Sequence, residues 1–216
     1  MHMKKLLVLI STVVMTGVLV GPVYAIDPAP DPAEAQIETQ FLSCMVPHHR
    51  SAVAMAEMAL QKATHPELKD MAQSIIRNQD AEIVQMTQWL HDWYGMDPPA
   101  GTSMPATCMQ GMMPMMYGRM PDMNVAMQSL QSTSGPEFEV AFLSDMSQHH
   151  AIAIMMSAPV LIAVYHRDLF TLAENIVISQ GQEIRQMDAW LQSWYGLQLP
   201  LDGMAMSVPT PTTMAP

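Results

Sequence analysis

The stretch "FLSCMVPHHRSAVAM" at 41–55 returns as "FLSDMSQHHAIAIMM" at 142–156, a constant offset of 101 residues. Extended without a gap, the alignment pairs 41–95 with 142–196, and 23 of its 55 positions are identical. The identities include Met45/Met146, His48/His149, His49/His150, Met55/Met156, His65/His166, Gln79/Gln180, Glu82/Glu183 and Met86/Met187, with "WLHDWYG" and "WLQSWYG" at the ends. A chain built this way is constrained to pack two copies of one supersecondary unit around a shared core.

Each unit reads as an αα-hairpin. Met45, His48, His49, Ala52, Met55, Ala56 and Ala59 recur at helical spacing on one stripe of a first helix. The stripe stops at "THP", where Thr64 is suited to capping and Pro66 to the first turn of a second helix. Leu68, Ala72, Ile75, Gln79, Glu82, Ile83, Met86 and Trp89 form that helix's inner side, and Gly95 ends it. The second copy opens with Pro136 and closes with Gly196. Pro47 and Pro159 fall inside helices, where each removes a backbone donor and is expected to introduce a kink. The fold class expected is all-α: a four-helix, ferritin-like bundle made of two duplicated hairpins, with a long Met-rich irregular linker.

The rest of the chain is organised around this domain, placed at 26–200. "KK" at Lys4–Lys5, an apolar run from Leu6 to Val20 and "VYA" before Ile26 read as a signal peptide over 1–25, cut after Ala25. The run is shorter than the ~20 residues of a spanning helix, and Pro22 blocks its extension. The mature chain is therefore expected in the periplasm or secreted, with no stable membrane insertion. Losing Lys4 and Lys5 moves the formal charge from −11 to −13, which disfavours nucleic acid and suits cations. The linker 96–135 is unusually long for a bundle. Ten of the chain's 25 methionines lie within 96–127, and its prolines and glycines argue against a regular helix there. The tail, 201–216, reads as flexible; Met204, Met206 and Met214 offer it weak capture sites at most.

Folding the first hairpin about its turn near residue 65 sets 49 opposite 81 and 45 opposite 85, given equal rises of ~1.5 Å per residue on both helices. Met45, His48 and His49 are then expected to face Glu82 and Met86, and Met146, His149 and His150 to face Glu183 and Met187. Thioether sulfur selects soft ions, so Cu(I) is favoured, with Ag(I) as its mimic, while imidazole also holds Cu(II). Zinc would recruit cysteines or more carboxylates, and neither CxxC nor HExxH occurs. Met55 and Met156 are as well explained by core packing as by ligation. In the linker, Met109, Met112, Met113, Met115, Met116, Met120 and Met123 centre on "GMMPMM" and suit a thioether cluster for Cu(I). A flexible patch for protein partners is the competing reading. Cys44 and Cys108 suit either a disulfide tying the linker over the first site or copper ligation. Capping accounts for His65 and His166 at the turns.

"FLSCMVPHHRSAVAMAEMAL" with "NQDAEIVQMTQWLHDWYG" resembles the DUF305 family, whose pattern pairs an FxxxM..HH..A..M helix with a Q..EI..M..WL helix. Both motifs occur twice. The layout of signal peptide, duplicated unit and Met-rich linker resembles a periplasmic copper-resistance member of that family. The resemblance implies a ferritin-like bundle binding Cu(I), Cu(II) and Ag(I) through Met and His. It points to Met45, His48, His49, Glu82 and Met86 and their counterparts. The family often carries an acidic residue where Ser43 and Ser144 stand here. The expected function is non-enzymatic: sequestering copper outside the cytoplasm, with a copper sensor or efflux component of the envelope as partner. The alternative is a copper oxidase. A di-iron site is disfavoured, since no Glu-x-x-His occurs and only Glu82 and Glu183 reach the inner level.

Overall fold

A computed structural model describes residues 27–105, 107–108 and 123–199, and among these every regular element is a helix. Helix α1 spans Pro32–Lys62, α2 Pro66–Tyr94, α3 Met123–Ser132, α4 Gly135–Ile162 and α5 Arg167–Tyr195. Helices α1 and α2 form one hairpin, α4 and α5 the other, and α1 packs on α4 to close a four-helix bundle. The sequence marks the helix ends. Asp31 caps α1 by accepting from the Ala33 amide at 2.7 Å, with Pro32 in the first turn. Gly95 and Gly196 end α2 and α5 at φ 62° and 67°, left-handed backbone that glycine enters without a Cβ penalty.

Two expectations need correction. Met123–Ser132 is helical, although it begins inside the segment read as irregular. After Pro121 that stretch has neither proline nor glycine, and Ala126 and Leu130, four residues apart, are buried on one helix face. The Lys62 ammonium donates to the carbonyls of Leu130 (2.6 Å), Gln131 (2.7 Å) and Thr133 (3.1 Å), supplying a cation where the dipole of α3 ends negative. Thr64 does not cap α2 either. The cap position belongs to His65, whose side chain makes no capping bond. Helices α1 and α4 run without interruption through Pro47 and Pro159.

What Thr64 does instead explains how the halves are joined. Its amide and hydroxyl, and the amide of His65, donate to Oε1 of Glu139, a fully buried carboxylate on α4 of the other unit. His65 Nδ1 lies 2.6 Å from Glu139 Oε2, and the Tyr195 hydroxyl donates to the same oxygen. The mirror arrangement holds at the opposite end. Glu38 on α1, also fully buried, accepts from the amides of Tyr165 and His166 at 2.9 Å and from the Tyr94 hydroxyl at 2.6 Å. Trp194 stacks on His65 with ring centroids 3.8 Å apart, and Trp93 on His166 at 3.7 Å. Glu38 and Glu139 are themselves 101 residues apart, so the repeat extends beyond Phe41. Each unit's carboxylate holds the other unit's turn. Because Glu38 at the start of α1 meets the end of α4, and Glu139 at the start of α4 meets the end of α1, the two helices are antiparallel.

Burial alone would raise the Glu139 pKa, but bonds from Tyr195, His65 and Thr64 outweigh it and lower the value from 4.5 to about 2. A carboxylate depressed on folding contributes stability that is complete above about pH 4.5 and lost as pH falls toward 2. Replacing Glu139 by Gln should leave buried donors unmatched at a cost of about 1–3 kcal/mol. Urea midpoints should drop at pH 7, and the variant's stability should vary less with pH between 4.5 and 2 than the wild type's.

Candidate metal centre

The stripes of α1 and α4 meet along the line where those helices cross, and they bring four imidazoles into the core. His48, His49, His149 and His150 are each no more than 1 % exposed. Adjacent residues on a helix of 3.6 residues per turn diverge by roughly 100°, so a His pair cannot serve one direction. His48 turns across the bundle to His149, ring centroids 3.7 Å apart. His49 turns within its own hairpin to Glu82, Nε2 to Oε2 2.8 Å, and His150 likewise approaches Glu183 at 2.7 Å. The expectation that both histidines of a pair face the glutamate of their own unit therefore holds for one of each pair. The other belongs to a centre shared by the two units.

Burial, and then the neighbouring imidazoles, lowers the pKa of both His48 and His149 well below 6.5. Both are neutral at pH 7 and each keeps a lone pair. Ser51 decides which one for His149. Its hydroxyl donates to the His48 carbonyl at 2.7 Å and also lies 2.7 Å from His149 Nε2. A hydroxyl has one proton, so His149 must be the donor at Nε2 and carry its lone pair on Nδ1. That Nδ1 has no partner. The same is true of both ring nitrogens of His48, Nδ1 of His49 and both nitrogens of His150, whose approach to Glu183 is not aligned for a hydrogen bond. Six buried imidazole nitrogens without partners are far outside the usual pattern of satisfied interiors.

The thioethers are distributed differently from the expectation of one set per unit. Met45 and Met86 share a buried cluster with Met156 of the other unit, and Met146 and Met187 share a second cluster with Met55. All six are buried. Cys44 and Cys108 are joined as a disulfide, Cα atoms 5.6 Å apart, so this state leaves no free thiol for copper. Met109, Met112, Met113, Met115, Met116 and Met120 lie outside the described residues, as do 1–25, the expected signal peptide, and 201–216, the expected tail. Met123 opens α3. Among the described residues no three His, Cys, Asp or Glu side chains are placed to hold one metal ion. A closed zinc site is therefore not what these residues offer. A metal here would need the thioethers.

The sequence profile of DUF305, a domain of unknown function, matches residues 38–200. The chain belongs to the DUF305 family. Among solved structures it is similar to CopM in the Cu(II)-bound form, at 34 % identity over 73 % of this chain and 97 % of that one, TM-score 0.60. It is equally similar to CopM in the Cu(I)-bound form, at 34 % identity over 74 % and 98 %, TM-score 0.59. A DUF305 protein of Streptomyces coelicolor, a candidate secreted protein, is 26 % identical over 76 % and 95 %, TM-score 0.63. No curated protein matches the sequence.

Sequence reasoning missed one residue of this centre, Ser51. Ser51 pairs with Ile152 in the repeat, so it drew no attention as a duplicated position, yet it sets the state of His149. Gln79 and Gln180 were legible as inward and duplicated; both are buried with Oε1 unpartnered. The imidazole chemistry is directly observable by nitrogen NMR of the metal-free protein. His149 should appear as the Nε2–H tautomer, and neither ring of the central pair, His48 nor His149, should titrate near pH 6.5. Ser51→Ala should release the tautomer preference of His149 while leaving its ring neutral at pH 7.

Proposed function

We propose that the protein captures and holds copper outside the cytoplasm, binding Cu(I), with Cu(II) and Ag(I) as further ligands, through methionine and histidine. The observation that carries this is the coincidence, inside one bundle, of six partnerless imidazole nitrogens with six buried methionines. Leaving polar nitrogens buried and unbonded costs free energy unless a ligand completes them. A soft cation that accepts both nitrogen and thioether donors fits the set, and neither donor carries a charge that a bound Cu(I) must displace. The relatives support the reading: CopM has been solved with Cu(II), Cu(I) and Ag bound, and it covers most of this chain.

The ligands we assign are His48, His49, His149 and His150 with Met45, Met86, Met156, Met55, Met146 and Met187. Glu82 orients His49 from outside the dry core through their 2.8 Å hydrogen bond, and Glu183 stands 2.7 Å from His150 in the other unit. The signal-like leader fits a protein released into the envelope or medium. No described helix is long and apolar enough to cross a membrane. Methionine suits that setting, because unlike thiols it binds without deprotonation and is not lost to disulfides. The role is sequestration without turnover, with transfer to an envelope sensor or efflux component as its outlet.

Titration of the metal-free mature protein with Cu(I) against a competing chelator tests this. Wild type should bind tightly at pH 7.5. His48→Ala/His49→Ala should weaken binding in both halves, since His48 belongs to the shared centre. Lowering the pH through 6.5 should not by itself release metal from the His48–His149 centre, whose rings stay neutral there. Failure of the wild type to retain Cu(I), or steady oxygen uptake with excess Cu(I), would overturn the proposal.

A further inference from the structure

The chain leaving α2 doubles back along α1. Arg50 on α1 donates to the Pro99 carbonyl at 2.7 Å, and six residues earlier on the same helix Cys44 is bonded to Cys108. Residues 96–105 and Cys108 thus form a strap fastened at two points across the level of Met45, His48 and His49. Between the fastenings, Met104 packs half-buried against the cluster that contains Met45, Met86 and Met156. Those three thioethers are at most 4 % exposed. An ion arriving from solvent cannot meet them first.

The second unit is built differently. Asp145 stands where the first unit has Cys44, and burial pushes its carboxyl up to about 6. The residues following α5, Leu197 and Leu199, pack on the second cluster without sulfur. The fastened thioether belongs to the first cluster.

We propose that Met104 is a further soft-metal ligand, the solvent-facing thioether through which Cu(I) or Ag(I) enters the Met45–Met86–Met156 cluster, held in place by the Cys44–Cys108 bond and Arg50. The strap has no regular secondary structure at Met104, and an unbranched thioether can turn between solvent and cluster without disturbing a helix. The disulfide keeps that donor close, where a free segment of this length would dilute it. This inference rests on the copper reading above.

Cu(I) affinity and the rate of Ag(I) uptake, measured on the mature protein, Met104→Leu, Cys44→Ser/Cys108→Ser and the triple variant, decide the matter. Leu preserves the packing volume and removes only the sulfur. Serines exclude new thiol ligands. Met104→Leu should weaken one site at least about tenfold, the low end of what losing a supporting group costs a metal site. The double variant should weaken the same site, and the triple should be no worse than either, as expected of residues acting as one unit. Met96→Leu, at an exposed position of the strap, should behave as wild type. X-ray absorption at the copper edge should count one sulfur fewer in Met104→Leu. An unchanged Met104→Leu, or additive losses in the triple variant, would overturn the strap; no binding by wild type would instead overturn the copper reading.

Discussion

The exchange of buried carboxylates between the two halves governs the rest of the structure. Glu38 and Glu139 each leave their own hairpin to receive the amides of the other hairpin's turn. A fully buried carboxylate is tolerable only when it is matched by donors, and each finds two backbone amides together with an imidazole and a phenol. This fixes the antiparallel alignment of α1 and α4 at both ends. Everything between, including the meeting of His48 with His149, follows from that register. The stacked Trp93–His166 and Trp194–His65 pairs pack against the same joints.

The dry centre has a chemical logic that a merely structural core lacks. Packing would be better served by leucine than by imidazoles whose nitrogens meet nothing, and most interiors avoid such groups. Here they persist in both copies, next to methionines that take irregular gaps without strain. Neutral rings crowded together disfavour protonation of one another, so they stay available as donors. The cost in stability is concentrated where a ligand would recover it.

Much of this was legible in the sequence. The helical stripes identified the buried face, and the constant offset identified two hairpins, because burial and repetition both leave periodic marks. The glycines after "WY" marked the helix ends. The partition of each His pair was not legible. Folding each hairpin separately placed both rings opposite Glu82 or Glu183, whereas the second direction exists only once α1 meets α4. The same blindness hid the mixing of Met156 with Met45 and Met86, and of Met55 with Met146 and Met187. Glu38 and Glu139 escaped notice because a carboxylate in the first turns of a helix ordinarily reads as a solvated dipole partner. Met123–Ser132 was misread because the composition of the whole linker masked one stretch free of breakers.

The swapped carboxylates also say what this polypeptide is in terms of symmetry. One hairpin alone possesses a clasp and a turn that do not fit each other. Two identical hairpins related by a dyad would satisfy both, with the histidine at position 48 meeting its own image on the axis. The tandem chain is such a dimer made covalent, in which the joining segment replaces association at dilute concentration with a tethered encounter. Tethered copies need not be alike off the axis: Cys44 stands in one where Asp145 stands in the other.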